Sequence, residues 1–193
     1  MGGRGVVSPM ERWPKAQTLR VFFALMPDSA TQASLGVLAR DVAARAGGRA
    51  IVDPNIHLTL AFVGDVGNDR IEVLRDVLNG LPREAFVLVL DCVGTFRHSE
   101  IAWIASSHVP ATLVELQSRI AAALAKDDFR IEERPFHAHV TLARHCRRPI
   151  AKAHSMPIEW QVRRVALLAS IAGNGGVCYR ELAGFRLVVT PVL

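Results

Sequence analysis

Two histidines of the chain stand in the same local setting, one in His57-Leu58-Thr59-Leu60 and the other in His139-Val140-Thr141-Leu142. In an extended strand, side chains at i and i+2 leave one face and those at i+1 and i+3 leave the other. His57 then points with Thr59 and His139 with Thr141, while the intervening Leu58, Leu60, Val140 and Leu142 point away into a core. An unperturbed imidazole titrates near pH 6.5, so a neutral ring can take a proton from an attacking water while a protonated ring gives one to a leaving oxygen. Threonine hydroxyls beside them can bind the non-bridging oxygens of a phosphorus centre as charge develops there. Two such strands facing one another across a cleft make a kit for cleaving a phosphodiester without a metal. Arg144, just beyond the second motif, can add a bidentate contact to phosphate. Counted from His139 it has the wrong parity for the polar face, so it needs a bulge, a strand end or its own length to reach the site.

The surrounding pattern supplies elements to carry both motifs. Leu19–Leu25 reads as a strand, and residues 28–48 read as a helix with an Asp28/Ser29 cap, apolar spacing of Leu35, Leu38 and Val42, and a Gly47-Gly48 stop. Residues 49–53 and 56–64 read as strands, and residues 68–81 as a helix whose Asp69 and Glu72 have capping-box spacing; residues 85–96 read as a further strand. The second half repeats these ingredients: a strand at 100–106, a helix over 110–128 with Pro110 near its start, a strand at 136–144, and strands around 162–171 and 178–189. Gly173–Gly176 reads as a hairpin turn, because no Lys-Ser/Thr and no helical pattern follow to make it a phosphate loop. Each half carries strands, a helix and one motif, which predicts a sheet-rich α+β fold of two similar lobes. A doubly wound parallel sheet would alternate strand and helix more strictly. No Gly/Pro/Ser-rich linker divides the halves, so residues 19–193 form a single domain; residues 1–18 mix Gly, Pro and charge without periodicity and read as a flexible leader.

Composition narrows the function classes. The 193 residues are 50% hydrophobic and 21% charged, an ordinary globular balance. No apolar run approaches the roughly 20 residues of a membrane span, and the early Val21–Met26 run is too short for a signal-peptide core, so a cytoplasmic location is expected. Cys92, Cys146 and Cys178 are scattered and odd in number, which speaks against a disulfide framework or a zinc cage. The formal charge of +5 suits a phosphate-bearing partner, and all but three of the 23 basic residues are arginines, the side chain that grips phosphate bidentately.

Arg20–Leu25, His57–Gly64, Pro135–Arg144 and the Ser170–Leu182 region closely resemble the RNA 2′,3′-cyclic phosphodiesterases, also called 2′-5′ RNA ligases, of the two-histidine phosphoesterase superfamily. The resemblance spans nearly everything from Leu19 to Val189. It implies a bilobal α+β fold, two pseudo-symmetric lobes of mainly antiparallel sheet with helices packed outside and a central groove. It also implies a hydrolase that opens terminal RNA 2′,3′-cyclic phosphates to 2′-phosphates, with 2′-5′ joining of RNA ends as a side activity and with no metal or other cofactor. Carried over residue by residue, His57 and His139 are the acid–base pair, Thr59 and Thr141 bind phosphate oxygens, Arg144 contacts phosphate, and Phe62 lies near the bound nucleoside, where it can stack on a base. Ala138 departs from the family's usual proline before the second histidine. The expected partners are RNA ends or small cyclic nucleotides; no oligomerisation surface is legible, and a monomer is the default.

Other readings compete with this one. His137 shares a face with His139, and two histidines on a strand invite a metal-dependent hydrolase; that arrangement needs carboxylate partners and usually sits on a larger barrel of about 250 residues, so His137 reads as a groove-edge residue. A nucleotide- or RNA-binding module without turnover is the third reading, though a pure binder has no need of two proton-transfer groups. Arg97 and His98, after Phe96, read as a solvated turn rather than a loop that borders the groove and meets RNA, Trp103 as core rather than base platform, Tyr179 as core or base platform, and His98, His108, His145 and His154 as surface or loop residues.

Overall fold

The computed structural model describes residues 18–130, 134–173 and 176–189. Nine strands form one sheet within them: β1 (Thr18–Leu25), β2 (Arg49–Ala50), β3 (Leu58–Gly67), β4 (Phe86–Phe96), β5 (Ile101–Ala105), β6 (His139–Arg144), β7 (Ala153–Val162), β8 (Arg164–Gly173) and β9 (Gly176–Arg186). Three α-helices accompany them: α1 (Ser29–Ala46), α2 (Ile71–Asn79) and α3 (Ala111–Lys126). The strand order is β7-β4-β5-β6-β3-β1-β8-β9, with β2 beside β6, and every pairing between these strands is antiparallel.

The two motif strands, β3 and β6, are neighbours in the middle of this order and meet through the pair Leu58↔Val140. Three strands flank that pair on each side, so the α+β fold has an approximate two-fold relation between β3-β1-β8-β9 and β6-β5-β4-β7. These lobes are not the two halves of the sequence. The strand β4 comes early but joins the second lobe, and β8 and β9 return from the C-terminal part to complete the first. A hairpin closes easily between strands adjacent in sequence, whereas β1 takes β3 on one side and β8 on the other, so the first lobe is finished only after the second has been traversed.

Local chemistry explains most elements. Thr31 donates its backbone N–H to Asp28 Oδ1 at 2.9 Å, which caps α1, and Gly47 ends it in the left-handed conformation at φ 64°. The predicted capping box of α2 does not form: a 3₁₀ turn at Asn68–Arg70 leads into the helix, and Arg70 occupies the cap with no side-chain hydrogen bond. The strand expected at 49–53 is only two residues long, because Asp53-Pro54-Asn55 make a 3₁₀ turn. The strand expected from residue 136 begins at His139. Strand β7 was not foreseen; it is an edge strand, where Pro157 costs no ladder hydrogen bond to a further neighbour. Gly173 pairs with Gly176 in the β8–β9 hairpin, and the two residues between lie outside the described ones, as do residues 1–17 of the expected leader; Thr18 already belongs to β1. Among the described residues, no helix is long and apolar enough to cross a membrane.

All three helices share one core with a single face of the sheet. Leu35 of α1, Leu74 of α2 and Leu116 of α3 pack in the same cluster as Leu58, Leu60, Val140 and Leu142. The opposite face carries two separate small clusters, one built on Phe22, Ala24, Ala166 and Leu168 and one on Cys92, Trp103 and Ala105. Leu58 and Val140 thus hold the lobes together from the core side, leaving the other face of the same strands free for chemistry. Both are fully buried, so Leu58→Ala is expected to lose about 2–5 kcal/mol of stability by the transfer and cavity terms together. Urea titrations of the wild type and this variant check it, and a loss below about 1 kcal/mol would show that the lobes are joined mainly elsewhere.

Candidate active site

Strand β3 starts at Leu58, with His57 immediately before it, and β6 starts at His139. Carried one residue either way, the antiparallel pair Leu58↔Val140 sets His57 beside Thr141 and Thr59 beside His139 on the helix-free face. The parity of both strands then changes. Against β1, Phe23 pairs with Ala61 and Ala24 with Thr59, leaving Leu60 without a partner. Against β5, Ala102 pairs with Ala143 and Trp103 with Thr141, leaving Leu142 without one. Each is a β-bulge at the fourth residue of the motif, and a bulge puts the side chains that follow it on the opposite face, although β3 bulges again at Val63. Leu60 and Ala61 therefore both join the helix-side core, as do Leu142 and Ala143, and Phe62 and Arg144 emerge beside the histidines. This resolves the parity difficulty of Arg144, and it delivers Phe62 by the same device at the same offset from its own histidine.

The two imidazoles are held in the same way. His57 Nδ1 lies 2.7 Å from the carbonyl oxygen of Asn55, and His139 Nδ1 lies 2.7 Å from that of His137. A carbonyl can only accept, so Nδ1 carries the proton in both rings and Nε2 is the exchangeable position. His57 Nε2 is 3.0 Å from Thr59 Oγ1; the hydroxyl donates when the ring is neutral and accepts when it is protonated. Asn55 is itself fixed by its Nδ2–H donating to Val177 O at 2.7 Å, so β9 braces the turn that orients His57.

Aromatic rings line both sides. Phe22 and Tyr179 meet His57 at centroid distances of 5.0 Å each, Tyr179 edge to face. Phe96 meets His139 at 5.1 Å, also edge to face, and His137 stands 5.6 Å from His139 against Phe96 and Trp103. Phe62, 43% exposed, stacks on Phe22 at 5.4 Å, with the Arg20 guanidinium 5.8 Å from its ring centroid. Asn55, Tyr179 and Phe96 support the site without having been assigned to it from the sequence. Only the Tyr179 ring carried an advance signal.

Burial among these rings sets the electrostatics. Desolvation pushes the His57 pKa down to about 4, opposed by the Asn55 carbonyl and reinforced by the charges of Arg144 and His139. His139 is lowered for the same reason, with its own carbonyl partner opposing and His137 and Arg144 adding to the shift. Arg144 acts on both imidazoles, so its guanidinium stands near both. The site is poised for an anion: a cationic arginine, two hydroxyls and two rings that gain charge most easily once a negative ligand arrives. The other histidines are elsewhere. His98 is in an exposed 3₁₀ turn with Arg97, His108 and His145 are exposed, and His154 is on β7. The three cysteines are free, with Cys92 and Cys146 buried and Cys178 exposed. Among the described residues no group of three or more His, Cys, Asp or Glu side chains is disposed to hold a metal ion.

Comparison with known proteins gives consistent findings. The model of the 2′-5′ RNA ligase superfamily matches residues 27–174. The Escherichia coli protein named RNA 2′,3′-cyclic phosphodiesterase is 30% identical over 145 residues, 72% of this chain and 80% of that protein. A protein of the same name from Archaeoglobus fulgidus is 25% identical over 178 residues, 87% of this chain and 100% of its own. Among solved structures, E. coli LigT complexed with 3′-AMP matches with a TM-score of 0.78 at 25% identity, covering 89% of this chain and 99% of that one.

The lowered pKa of His57 has a consequence for stability. Between the ordinary value near 6.5 and about 4, the unfolded chain binds a proton at His57 that the folded chain does not, so stability rises with pH across that window and is lost as pH falls through it. His57→Gln should flatten the dependence of unfolding free energy on pH between about 4 and 6.5. Urea midpoints measured across that range are the check, and parallel curves for the two proteins would contradict the burial of a neutral imidazole.

Proposed function

The chain belongs to the 2′-5′ RNA ligase superfamily, and from that membership we propose that it is an RNA 2′,3′-cyclic phosphodiesterase in which His57 and His139 exchange the protons. The observation that carries the assignment is the matched pair of Nδ1 hydrogen bonds to backbone carbonyls two residues earlier, which leaves Nε2 of each ring as the reacting atom in the same face of adjacent strands. The names of the curated relatives supply the substrate class, and the basic, hydroxyl-bearing site supports it.

In this mechanism neutral His139 accepts a proton at Nε2 from a water that attacks phosphorus. The new P–O bond forms as the P–O3′ bond breaks, and the departing 3′-oxygen takes a proton from Nε2 of His57, leaving a 2′-phosphate. Thr59 and Thr141 donate to the non-bridging oxygens and Arg144 offsets the charge accumulating on them, as fixed donors do at a five-coordinate phosphorus. Phe62 offers its exposed face to the nucleoside base. His57 is neutral in the empty site, and the cyclic phosphate supplies the negative charge that stabilises it as imidazolium. Thr59 Oγ1 then accepts from Nε2–H until the 3′-oxygen is in place. A soluble monomer acting on RNA ends in the cytoplasm, without a metal or cofactor, completes the proposal.

Two outcomes test it. Each of His57→Ala and His139→Ala should lose at least about 10²-fold in the rate of 2′,3′-cyclic AMP hydrolysis, the usual worth of a positioned proton-transfer group, and activity should survive EDTA. Near-normal turnover by either variant would remove that histidine from the chemistry, and EDTA sensitivity would favour the metal-dependent reading through His137 and His139. The pH dependence should be split. Because both imidazole pKa values are lowered in the empty site, kcat/KM, which reports the free enzyme, should peak below about 6.5, while the bound anion should move the kcat profile to higher pH. Coincident profiles centred above pH 7 would contradict it.

A further inference from the structure

The guanidinium of Arg144 has a neighbour that the proposed chemistry does not use. In β2, Arg49 lies directly across from Arg144 and Ala50 across from Ala143. Ala50 packs against the helix-side core, as Ala143 does, so Arg49 leaves the other face, beside Arg144 and on the side of the histidines. Both arginines are exposed, and like charges directly opposite one another on paired strands repel. The carboxylates that flank β2 in the chain do not relieve this: Asp41 is paired with Arg45 at 2.9 Å and Asp53 with Arg40 at 3.0 Å. Among the described residues neither Arg49 nor Arg144 has an ion pair or a side-chain hydrogen bond. Two adjacent cations without a carboxylate make a place for anions.

The two are not equivalent. Arg144 stands near enough to depress the pKa of both imidazoles, and Arg49 contributes to neither shift. Arg144 therefore faces the reacting phosphate, and Arg49 lies farther out. Strands β3 and β6 run antiparallel, so Phe62, late in β3, and the two arginines, at the end of β6, stand at opposite ends of the motif strands. His57 and Thr141 lie toward the arginine end, and Thr59 and His139 toward the Phe62 end. In a ribonucleoside the base leaves C1′ and the 5′ chain leaves C4′, on opposite sides of the sugar. A terminal cyclic phosphate between the imidazoles, with its base on Phe62, thus sends its 5′ substituent toward the arginines and its 3′-oxygen toward His57.

We propose that Arg49 binds the phosphodiester on the 5′ side of the terminal nucleoside, and so makes the site prefer an RNA chain end to a mononucleoside cyclic phosphate. The proposal rests on the phosphodiesterase reading and on Phe62 as the base platform. The guanidinium offers parallel N–H groups to the two non-bridging oxygens of that diester. Because this phosphate does not react, the contact is made equally in the ground and transition states and strengthens binding without changing the chemical step.

The test compares 2′,3′-cyclic AMP with an adenylyl-adenosine dinucleotide ending in a 2′,3′-cyclic phosphate, which adds one phosphodiester and one nucleoside on the 5′ side. The values of kcat and KM are measured on both for the wild type, Arg49→Gln and Arg45→Gln. The wild type should favour the dinucleotide about tenfold in kcat/KM, the scale of one charge-assisted contact. Arg49→Gln should abolish most of that preference through the KM of the dinucleotide. Arg45→Gln, whose arginine is exposed but already engaged by Asp41, should retain it. A wild type without the preference would overturn the assignment, as would an Arg49→Gln variant that keeps it or loses both substrates equally. Loss of the preference in Arg45→Gln as well would reduce it to a diffuse field and overturn the assignment too. Failure of the wild type to hydrolyse either substrate would instead overturn the phosphodiesterase reading beneath it.

Discussion

A regular strand alternates its side chains, and that alternation conflicts with what this site requires. The histidine and threonine of each motif are two apart and share a face without effort, but Phe62 and Arg144 lie five residues beyond their histidines, on the face that would enter the helix-side core. A guanidinium there would be buried without a partner, at a cost of several kcal/mol. The bulges at Leu60 and Leu142 remove the conflict, each at the expense of one unpaired residue. They also put consecutive apolar residues, Leu60-Ala61 and Leu142-Ala143, onto the core face, so that the irregular step is itself well packed. The core contacts on one side and the reacting groups on the other are consequences of the same two register shifts.

The same burial that holds the strands tunes the imidazoles. In the proposed mechanism one of the two rings must become an imidazolium, which partial burial against aromatic carbon disfavours. The structure balances these demands by satisfying Nδ1 permanently with a backbone carbonyl, which raises the affinity of the ring for a proton, and by surrounding the ring with aromatic carbon, which lowers it. The second effect is the larger in the empty site. A phosphate anion reverses the balance locally, because its charge acts in a medium where water does not screen it well. Charging of the site is thereby coupled to occupancy.

Much of this was legible from residue order. The repeated His-x-Thr-Leu setting marked the two histidines and two threonines that the sheet brings side by side, and the Asp28 cap, the Gly47 stop and the Gly173–Gly176 turn marked real boundaries. What was hidden follows from non-local physics. The bulges depend on which strand lies alongside, so nothing in Thr59-Leu60-Ala61 announces that Leu60 will lack a partner. The Asp69–Glu72 spacing satisfied a local rule but gave way to a 3₁₀ entry. The lobes do not coincide with the sequence halves, because pairing of β1 with β8 joins residues far apart in the chain and leaves no local pattern. Asn55 drew no notice because its role lies in its backbone carbonyl, which any residue possesses; only the side-chain anchor to Val177 distinguishes it.

The near-symmetry of the two lobes also identifies where symmetry must fail. Histidine, threonine, leucine and alanine recur at the first, third, fourth and fifth positions of both motifs, and both motifs carry the bulge, so the proton-transfer groups alone present equivalent sites to a phosphate. The sixth position differs: Phe62 in one motif, Arg144 in the other. An exposed ring attracts a base and a guanidinium attracts an oxyanion, so a nucleotide placed in the two possible orientations meets different partners. The second asymmetry is that an exposed ring stands beside His57, whereas a concavity of about 270 Å³ lined in part by Trp103, Phe136, Lys152 and His154 adjoins His139. In the proposed mechanism, a cyclic-phosphate nucleoside seated on Phe62 lets its 3′-oxygen leave toward His57 while the nucleophile enters beside His139. The division of labour between two locally identical histidines is then a property of the sixth residue and of the flanking surfaces, not of the imidazoles themselves.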